Sequence, residues 1–423
     1  MAPQLHPGAR RAIIAAVAGN VLEWYDFAVY AYMATVLADK FFPATDPITS
    51  LLVTFAAFGA GFLARPLGGI LIGRLGDVKG RKAALLATIM LMTLGTVGIG
   101  LIPTYSVIGV AAPMLVVLAR LIQGFSAGGE WGGSTAFIVE WAPETRRGLY
   151  GSLQQCSVAG GLLLGSGVAA AVNTLFTPGF ADGWGWRLPF LLGGLLGPLG
   201  LYMRRRVEET PAFTRLAQPS AVPVVGQRSA GVALAGRAFG FTIVWTVSYY
   251  VILTYMPTFL QRQVGLGRTE ALWASSIGLL ALVLTTPLAG WASDHIGRKP
   301  LLLASCVALV ALPYPLFQLL LSSATLATAI LVQVTLCLAV ALFSGPGPAA
   351  IAEIFPTHLR STWMSIGYSL AVTLFGGFAP FIATWLIDRT GEPLSPSYYV
   401  MAAAIASLVV ILGLRETARL PLN

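Results

Sequence analysis

The chain has 423 residues, 56% of them hydrophobic and 10% charged, with a mean hydropathy of +0.78; an average soluble domain carries about 25% charged residues. A water-soluble fold cannot bury that much apolar surface, which excludes a cytosolic enzyme, a disordered scaffold and a secreted disulfide module. The net charge of +9 lies in short loops between apolar runs, so it marks the basic loops of an integral membrane protein and not nucleic-acid binding.

About 20 apolar residues cross the hydrocarbon core as a helix. Runs between charged or Pro/Gly-rich breaks predict twelve transmembrane helices, near 12–38, 51–74, 83–102, 108–140, 150–175, 187–203, 231–259, 270–291, 300–321, 325–349, 361–387 and 397–414. The first run carries Asn20, Glu23 and Asp26, which a cleavable signal would not. The fourth is long enough for its inner end to project beyond the bilayer. Gly345-Pro346-Gly347-Pro348 is expected to disrupt the tenth, as a gate or hinge. Of the 26 Lys and Arg, four (Lys40, Arg262, Arg268, Arg389) fall on the side opposite the N-terminus, and Arg65, Arg120 and Arg187 lie in or at helices. The other 19 share the side of the N-terminus, which makes both termini cytoplasmic.

Cys156, Cys306 and Cys337 lie in apolar helices, and an odd number there reads as packing thiols. His6, His295 and His358 are placed in loops or the N-terminal tail without a cysteine cluster, so no metal is expected. No phosphate-binding loop is present, which disfavours ATP-driven transport.

Gly73-x-x-x-Asp77-x-x-Gly80-Arg81-Lys82 follows the second helix, and Gly290-x-x-x-Asp294-x-x-Gly297-Arg298-Lys299 follows the eighth, 217 residues later. Glu140-x-x-Pro143-x-x-x-Arg147 recurs as Glu353-x-x-Pro356-x-x-x-Arg360 at an offset of 213. Two similar offsets at equivalent loops predict two six-helix halves, residues 1–203 and 230–423, joined by a cytoplasmic linker at 204–229. Such a duplication puts the substrate path at the interface between halves. A basic loop alone would explain one copy; two copies predict a cytoplasmic gate of Asp77, Arg81, Lys82, Glu140, Arg147, Asp294, Arg298, Lys299, Glu353 and Arg360.

These loops resemble the signature of the major facilitator superfamily. Gly19-Asn20-x-x-Glu23-Trp24-x-Asp26-Phe27, Arg65-Pro66-x-Gly68-Gly69, Arg120-x-x-Gln123-Gly124, Gly128-Gly129-Glu130, Trp184-x-Trp186-Arg187 and Glu208-Glu209-Thr210-Pro211 resemble more closely its metabolite:proton symporter family. The resemblance spans essentially the whole chain. It implies an all-α membrane protein with the major facilitator fold, in a bacterial-type inner membrane, with the proton as coupling ion and no other cofactor. Relatives in that family carry citrate, 2-oxoglutarate, other dicarboxylates, aromatic acids such as shikimate, or the zwitterions proline and betaine. Osmosensing relatives carry a long C-terminal coiled coil, whereas this chain ends at Asn423, so the osmolyte reading ranks second here.

Five charges lie within first-half helices: Glu23, Asp26, Arg65, Arg120 and Glu130. Intramembrane charges are functional by default. At 100° per residue Glu23, Asp26 and Tyr30 share a stripe about 60° wide, and Arg120, Gln123 and Glu130 fall on another. Three carboxylates face two guanidiniums, and an unmatched desolvated carboxyl favours its protonated form, as a reversible carrier must. Asp26, Glu23 and Glu130 are therefore the proton-coupling candidates, with Arg65–Glu130 equally readable as a structural ion pair. Arg120 can hold a substrate carboxylate bidentately or tune the carrier; a plain Asp26–Arg120 bridge is the structural alternative. Asn20, Tyr30, Gln123, Gln154, Gln155, Tyr249, Tyr250 and Tyr368 complete the candidate substrate site, and the tyrosines would equally serve an aromatic cage or packing. The leading expectation is proton symport of a di- or tricarboxylate by a monomer. The alternatives are a zwitterion or aromatic-acid symporter and, from another class, a transport-inactive sensor.

Overall fold

A computed structural model describes residues 7–79, 81–129, 135, 138–139, 142–205, 225–418 and 420. Among them there is no strand, and the helices form twelve spans. The first six are α1 (Pro7–Tyr32), α2 (Pro47–Leu63, resuming as Arg65–Lys79), α3 (Arg81–Leu101), α4 (Ala111–Ser126), α5 (Arg147–Leu175) and α6 (Leu188–Arg205). The others are α7 (from Val225–Ser248), α8 (Arg268–Ile296), α9 (Arg298–Ala311, then Pro313–Ser322), α10 (Leu326–Ser344, then Gly347–Glu353), α11 (Thr357–Ala371, ending in Ala379–Thr390) and α12 (Ser395–Leu412). By length and composition seven of the described helices can cross a bilayer, and the two pieces of α9, bent by 41°, make an eighth.

Local chemistry sets the breaks. Asp46 caps α2, its carboxylate accepting from Ile48 and Thr49 N–H (3.3 and 2.9 Å) ahead of Pro47, and the Thr49 bond chiefly holds that carboxyl below its usual range. Pro66 and Pro313 stand at the breaks of α2 and α9, where proline has no N–H to give to the preceding turn and its ring crowds that turn's carbonyl. The Gly-Pro-Gly-Pro run breaks α10 between Ser344 and Gly347, as expected. Within α4 the α-helix tightens into a narrower turn at Ala127–Gly129, and residues 135, 138 and 139 are again helical. α4 crosses α2 backbone to backbone, a Cβ at Gly124 meeting Gly61 O at 1.6 Å and one at Gly128 meeting Arg65 O at 2.0 Å. Contact that close fixes the path of the chain more strongly than hydropathy does. His295 and His358, expected in loops, lie in the last turn of α8 and the first turn of α11, because both helices run past their apolar stretches.

α7 is the most irregular span. It passes through π-helical turns at Tyr249–Tyr255 and Leu260–Val264, and α11 carries a third at Val372–Gly377. A π-turn frees carbonyls from the regular ladder. Ile252 O is taken by Gln333 Nε2 of α10 (2.7 Å) and Leu253 O by the Tyr32 hydroxyl of α1 (2.8 Å).

α5 packs on α1 and α8, α8 on α10, and α7 on α11 and α12. The α5–α8 contact joins the first six spans to the last six, with Gly290 against Gly148 O and Ser152, and the Ser166 and Ser276 hydroxyls 2.8 Å apart. Leucines such as Leu63, Leu67, Leu284 and Leu288 point outward, exposed, as lipid-facing residues do.

Candidate functional site

A small cavity lies between α1, α5, α7 and α11, lined by Trp24, Gln155, Val158, Thr242, Trp245, Thr246, Tyr249, Tyr250 and Tyr368. Its wall is aromatic and uncharged. Close helix approach builds it: a Cβ at Gly161 would meet Trp24 Cβ at 2.6 Å, and one at Gly376 would meet Thr246 Oγ1 at 2.1 Å. The hydroxyls of Tyr249, Tyr250 and Thr246, and Nε2 of neighbouring Gln154, are buried without a hydrogen-bond partner. Orphaned polar atoms are rare because each costs about 1–3 kcal/mol. Three of them line the cavity, which at about 20 Å³ has room for a single water, so a larger guest requires the helices to part.

Charges of both signs stand near this wall. Glu23 and Arg65 both lie close enough to act electrostatically on the Tyr250 and Tyr368 hydroxyls. The Arg65 guanidinium is stacked over Phe62 (4.3 Å) and Phe27 (5.1 Å).

Arg120 is fully buried and also acts electrostatically on Tyr250 of the cavity wall. Its guanidinium lies 4.6–5.1 Å from the rings of Tyr30, Phe58 and Phe27, donates to Gln123 Oε1 (2.7 Å) and reaches Phe58 O (3.4 Å). No ion pair among the described residues joins Arg120 to Asp26, so the simple bridge considered from sequence is not formed. Asp26 is buried facing α3 and α6 beside Thr96: a Cβ at Gly193 would meet both Asp26 Oδ1 (3.0 Å) and Thr96 Cγ2 (2.8 Å). The single acidic stripe expected on α1 therefore divides, Glu23 toward the aromatic cavity and Asp26 away from it.

At the end where α5, α8 and α10 meet, four of the ten residues expected to form a gate, Arg147, Asp294, Arg298 and Glu353, converge. Asp294 accepts the N–H groups of Gly148 (2.8 Å) and Leu149 (2.9 Å) at the start of α5 and pairs with Arg298 (2.7 Å). Glu353 lies between Arg298 (3.5 Å) and Arg147 (3.6 Å). Arg360 caps the end of α10 through Ala352 O (2.9 Å) and Phe355 O (3.1 Å). Lys299 Nζ donates to Leu412 O (2.7 Å) and Leu414 O (2.9 Å) beyond α12. The segment after α12 joins them: Thr417 donates to Glu353, and Arg147 Nη1 to Leu420 O (2.8 Å). At the opposite end Tyr32 on Leu253 O, Phe55 against Tyr255 (5.8 Å) and Phe62 against Tyr250 (5.5 Å) close the bundle. The cavity lies between two closures.

Of the remaining expected site residues, Tyr30 donates to Thr54 O (3.0 Å) and lies beneath the Arg120 guanidinium. Asn20 is engaged with Ser157 Oγ (2.7 Å), and Gln155 donates to Gln154 (3.0 Å). Glu130 and Glu140 lie outside the described residues, so the Arg65–Glu130 pair does too. Asp77 falls in the second piece of α2, and Arg81 and Lys82 open α3. Thr96, Gly193, Thr246, Glu416 and Thr417 were not singled out; as small or ordinary surface residues they carry no mark in the sequence.

The sequence model of a family described as sugar (and other) transporter matches residues 11–220 and 237–423. The chain belongs to that family. Its fold is accordingly that of the major facilitator superfamily, all helical and multi-pass, and the symporter resemblance read from its motifs holds. It is 36% identical over 426 residues to the glycine betaine/proline/ectoine/pipecolic acid transporter OusA of Dickeya dadantii, covering 98% of this chain and 85% of that one. It is also 36% identical over 401 residues to the citrate-proton symporter of Klebsiella pneumoniae (94% and 90% covered). Among solved structures, the xylose transporter XylE of E. coli in a partially occluded inward-open conformation superposes with a TM-score of 0.78 at 20% identity, over 96% of this chain and 98% of that one. That likeness concerns the fold alone.

Proposed function

We propose that this transporter imports a small zwitterion of the proline or betaine type together with protons, by alternating access across a bacterial inner membrane with both termini cytoplasmic. The observation that carries the reading is the aromatic, uncharged cavity with Glu23 and Arg65 near its wall. Aromatic faces attract a quaternary or secondary ammonium, and the orphaned hydroxyls can donate to a carboxylate. A guest with one charge of each sign matches that pattern. A tricarboxylate would bring three negative charges against the two guanidiniums of Arg65 and Arg120 and beside Glu23, leaving charge uncompensated at a heavy desolvation cost. The similarity to OusA supports the same choice.

The organic-acid reading is the second one, favoured by the 36% identity to a citrate-proton symporter. Under either reading Asp26 is assigned as the proton carrier, Arg120 as the group that sets its charge state, and Arg65 as the partner of the substrate carboxylate. The network of Arg147, Asp294, Arg298 and Glu353 is assigned as the inner gate. Proteoliposomes decide between the substrates: radiolabelled betaine or proline accumulates under an inward proton gradient and resists competition by citrate and 2-oxoglutarate. Uptake indifferent to the gradient would remove the proton from the scheme, and uptake of citrate in place of betaine would reverse the choice of substrate.

A further inference from the structure

Arg120 and Asp26 are linked without touching. A guanidinium can only donate, so Gln123 must turn Oε1 toward Arg120 (2.7 Å). Its amide nitrogen is thereby aimed at Thr96 Oγ1 (2.7 Å). The Thr96 oxygen accepts that bond and donates to Met92 O of the preceding turn (3.2 Å); the Asp26 carboxyl is its other neighbour, since a Cβ at Gly193 would meet both Thr96 Cγ2 and Asp26 Oδ1. Glycines hold both ends of the chain in place. A Cβ at Gly95 would meet Gln123 Cγ at 2.5 Å, and one at Gly193 would meet Thr96 Cγ2 at 2.8 Å. The charged and titratable groups acting on Asp26 are Tyr25 on its own helix and Arg120 on α4, and Tyr30, Arg65 and Tyr250 in turn surround Arg120. The facing residues of α3 and α6 are Thr96 and Gly193.

We propose that Gln123 and Thr96 are positioning residues of proton coupling, forming a one-way hydrogen-bond relay from Arg120 to Asp26 in which the Thr96 hydroxyl is the switch. With Asp26 ionised, Thr96 donates to the carboxylate. When Asp26 takes up a proton, its O–H donates back to Thr96 Oγ1, and the threonine proton turns to Met92 O. The oxygen then accepts from Gln123 and Asp26 and donates once, so every donor stays paired in both states. Displacement of Arg120 during transport would release Gln123 and loosen the far end of the relay. This inference rests on Asp26 being the carrier.

The test uses full-length protein in proteoliposomes, following uptake against external pH. Thr96→Val removes the donor that favours ionised Asp26. The pH of half-maximal uptake then moves alkaline by about one unit, a tenfold change in proton affinity, as expected for losing one hydrogen bond to a charged group. Thr96→Ser returns the profile to that of the parent. Gln123→Glu, a polar change of equal size, draws the threonine proton away from Asp26 and shifts the profile the same way, which keeps the idea testable if the valine variant does not fold. Parent-like profiles for Thr96→Val and Gln123→Glu, alongside an Asp26→Asn variant that has lost its response to the gradient, would overturn the relay and leave the carrier assignment standing. An Asp26→Asn variant that still responds to the gradient would overturn the carrier assignment itself, and with it the relay.

Discussion

Glu416 offers a quantitative check on how the segment after α12 is attached. One carboxylate oxygen accepts the N–H groups of Arg298, Thr417 and Ala418, and the other accepts that of Lys299, all at 2.9 Å. Arg298 and Lys299 are the first residues of α9, whose amides have no partner within the helix, and a negative charge there is favoured by the helix dipole. Gly297 makes the approach possible: its φ is +107° and a Cβ would sit 2.5 Å from Glu416 Oε2. Glu416→Ala forfeits four charge-assisted bonds. Because the residue is exposed, water replaces part of each, and about 0.5 kcal/mol per bond gives a loss of about 2 kcal/mol. The assay is thermal unfolding of detergent-solubilised protein followed with a thiol-reactive dye, since Cys306 and Cys337 are buried until the fold opens. The apparent midpoint should fall by about 3 °C at neutral pH. Burial pushes the carboxyl up, yet the four backbone N–H groups outweigh it and hold Glu416 below its usual range. Its stabilisation is therefore complete above the ordinary glutamate range, near pH 4.3, and fades as pH falls through the lower folded value. The difference between parent and variant should close in acid. Equal midpoints at neutral pH, or a gap that widens on acidification, would refute the reasoning.

Three further outcomes follow from the same contacts. Gly290→Val places side-chain atoms against Gly148 O and Ser152 and should part α5 from α8, raising maleimide labelling of the half-buried Cys156, whose thiol donates to Val283 O across that seam; unchanged labelling would show that the seam is not closed there. Tyr250→Phe removes an orphaned hydroxyl and should weaken betaine binding by about tenfold in calorimetry while leaving the midpoint within about 1 °C. Arg120→Lys loses the planar stack on three rings and the aligned bond to Gln123, and should cost about 3 kcal/mol of stability, read as a lower midpoint.

The charges were legible from sequence because a charged side chain in an apolar run is conspicuous. Asp294, Arg298, Glu353 and Arg147 meet, as the repeated loops implied. Yet the partners of Asp294 include two backbone amides of α5, and no pairing of side-chain types predicts an amide as acceptor's mate. The aromatic cavity was half visible: Tyr249, Tyr250 and Tyr368 were named, whereas Thr246 was not, since its exposure to a guest depends on how closely Gly376 approaches. Glu23 and Asp26 share a face by helical arithmetic but divide between two neighbours, because α5 and α6 flank α1 on different sides. The tightened turn of α4 at Ala127–Gly129 escaped hydropathy for a related reason. Backbone contact between glycines is a property of two helices, and neither one's sequence states it.

The π-helical stretch of α7 has a genetic corollary. A π-turn is an α-helix with one residue too many, so deleting a single residue within Tyr249–Tyr255 would restore the regular ladder. The wide turn already absorbs the extra residue, so the helix beyond would keep nearly its present facing, while the carbonyls that Tyr32 and Gln333 now hold would return to the ladder. The contacts of α5 with the end of α8, near Asp294, lie elsewhere in the chain and would keep their register. One missing codon would thus unfasten the bundle at one end only, giving a protein biased toward a single orientation.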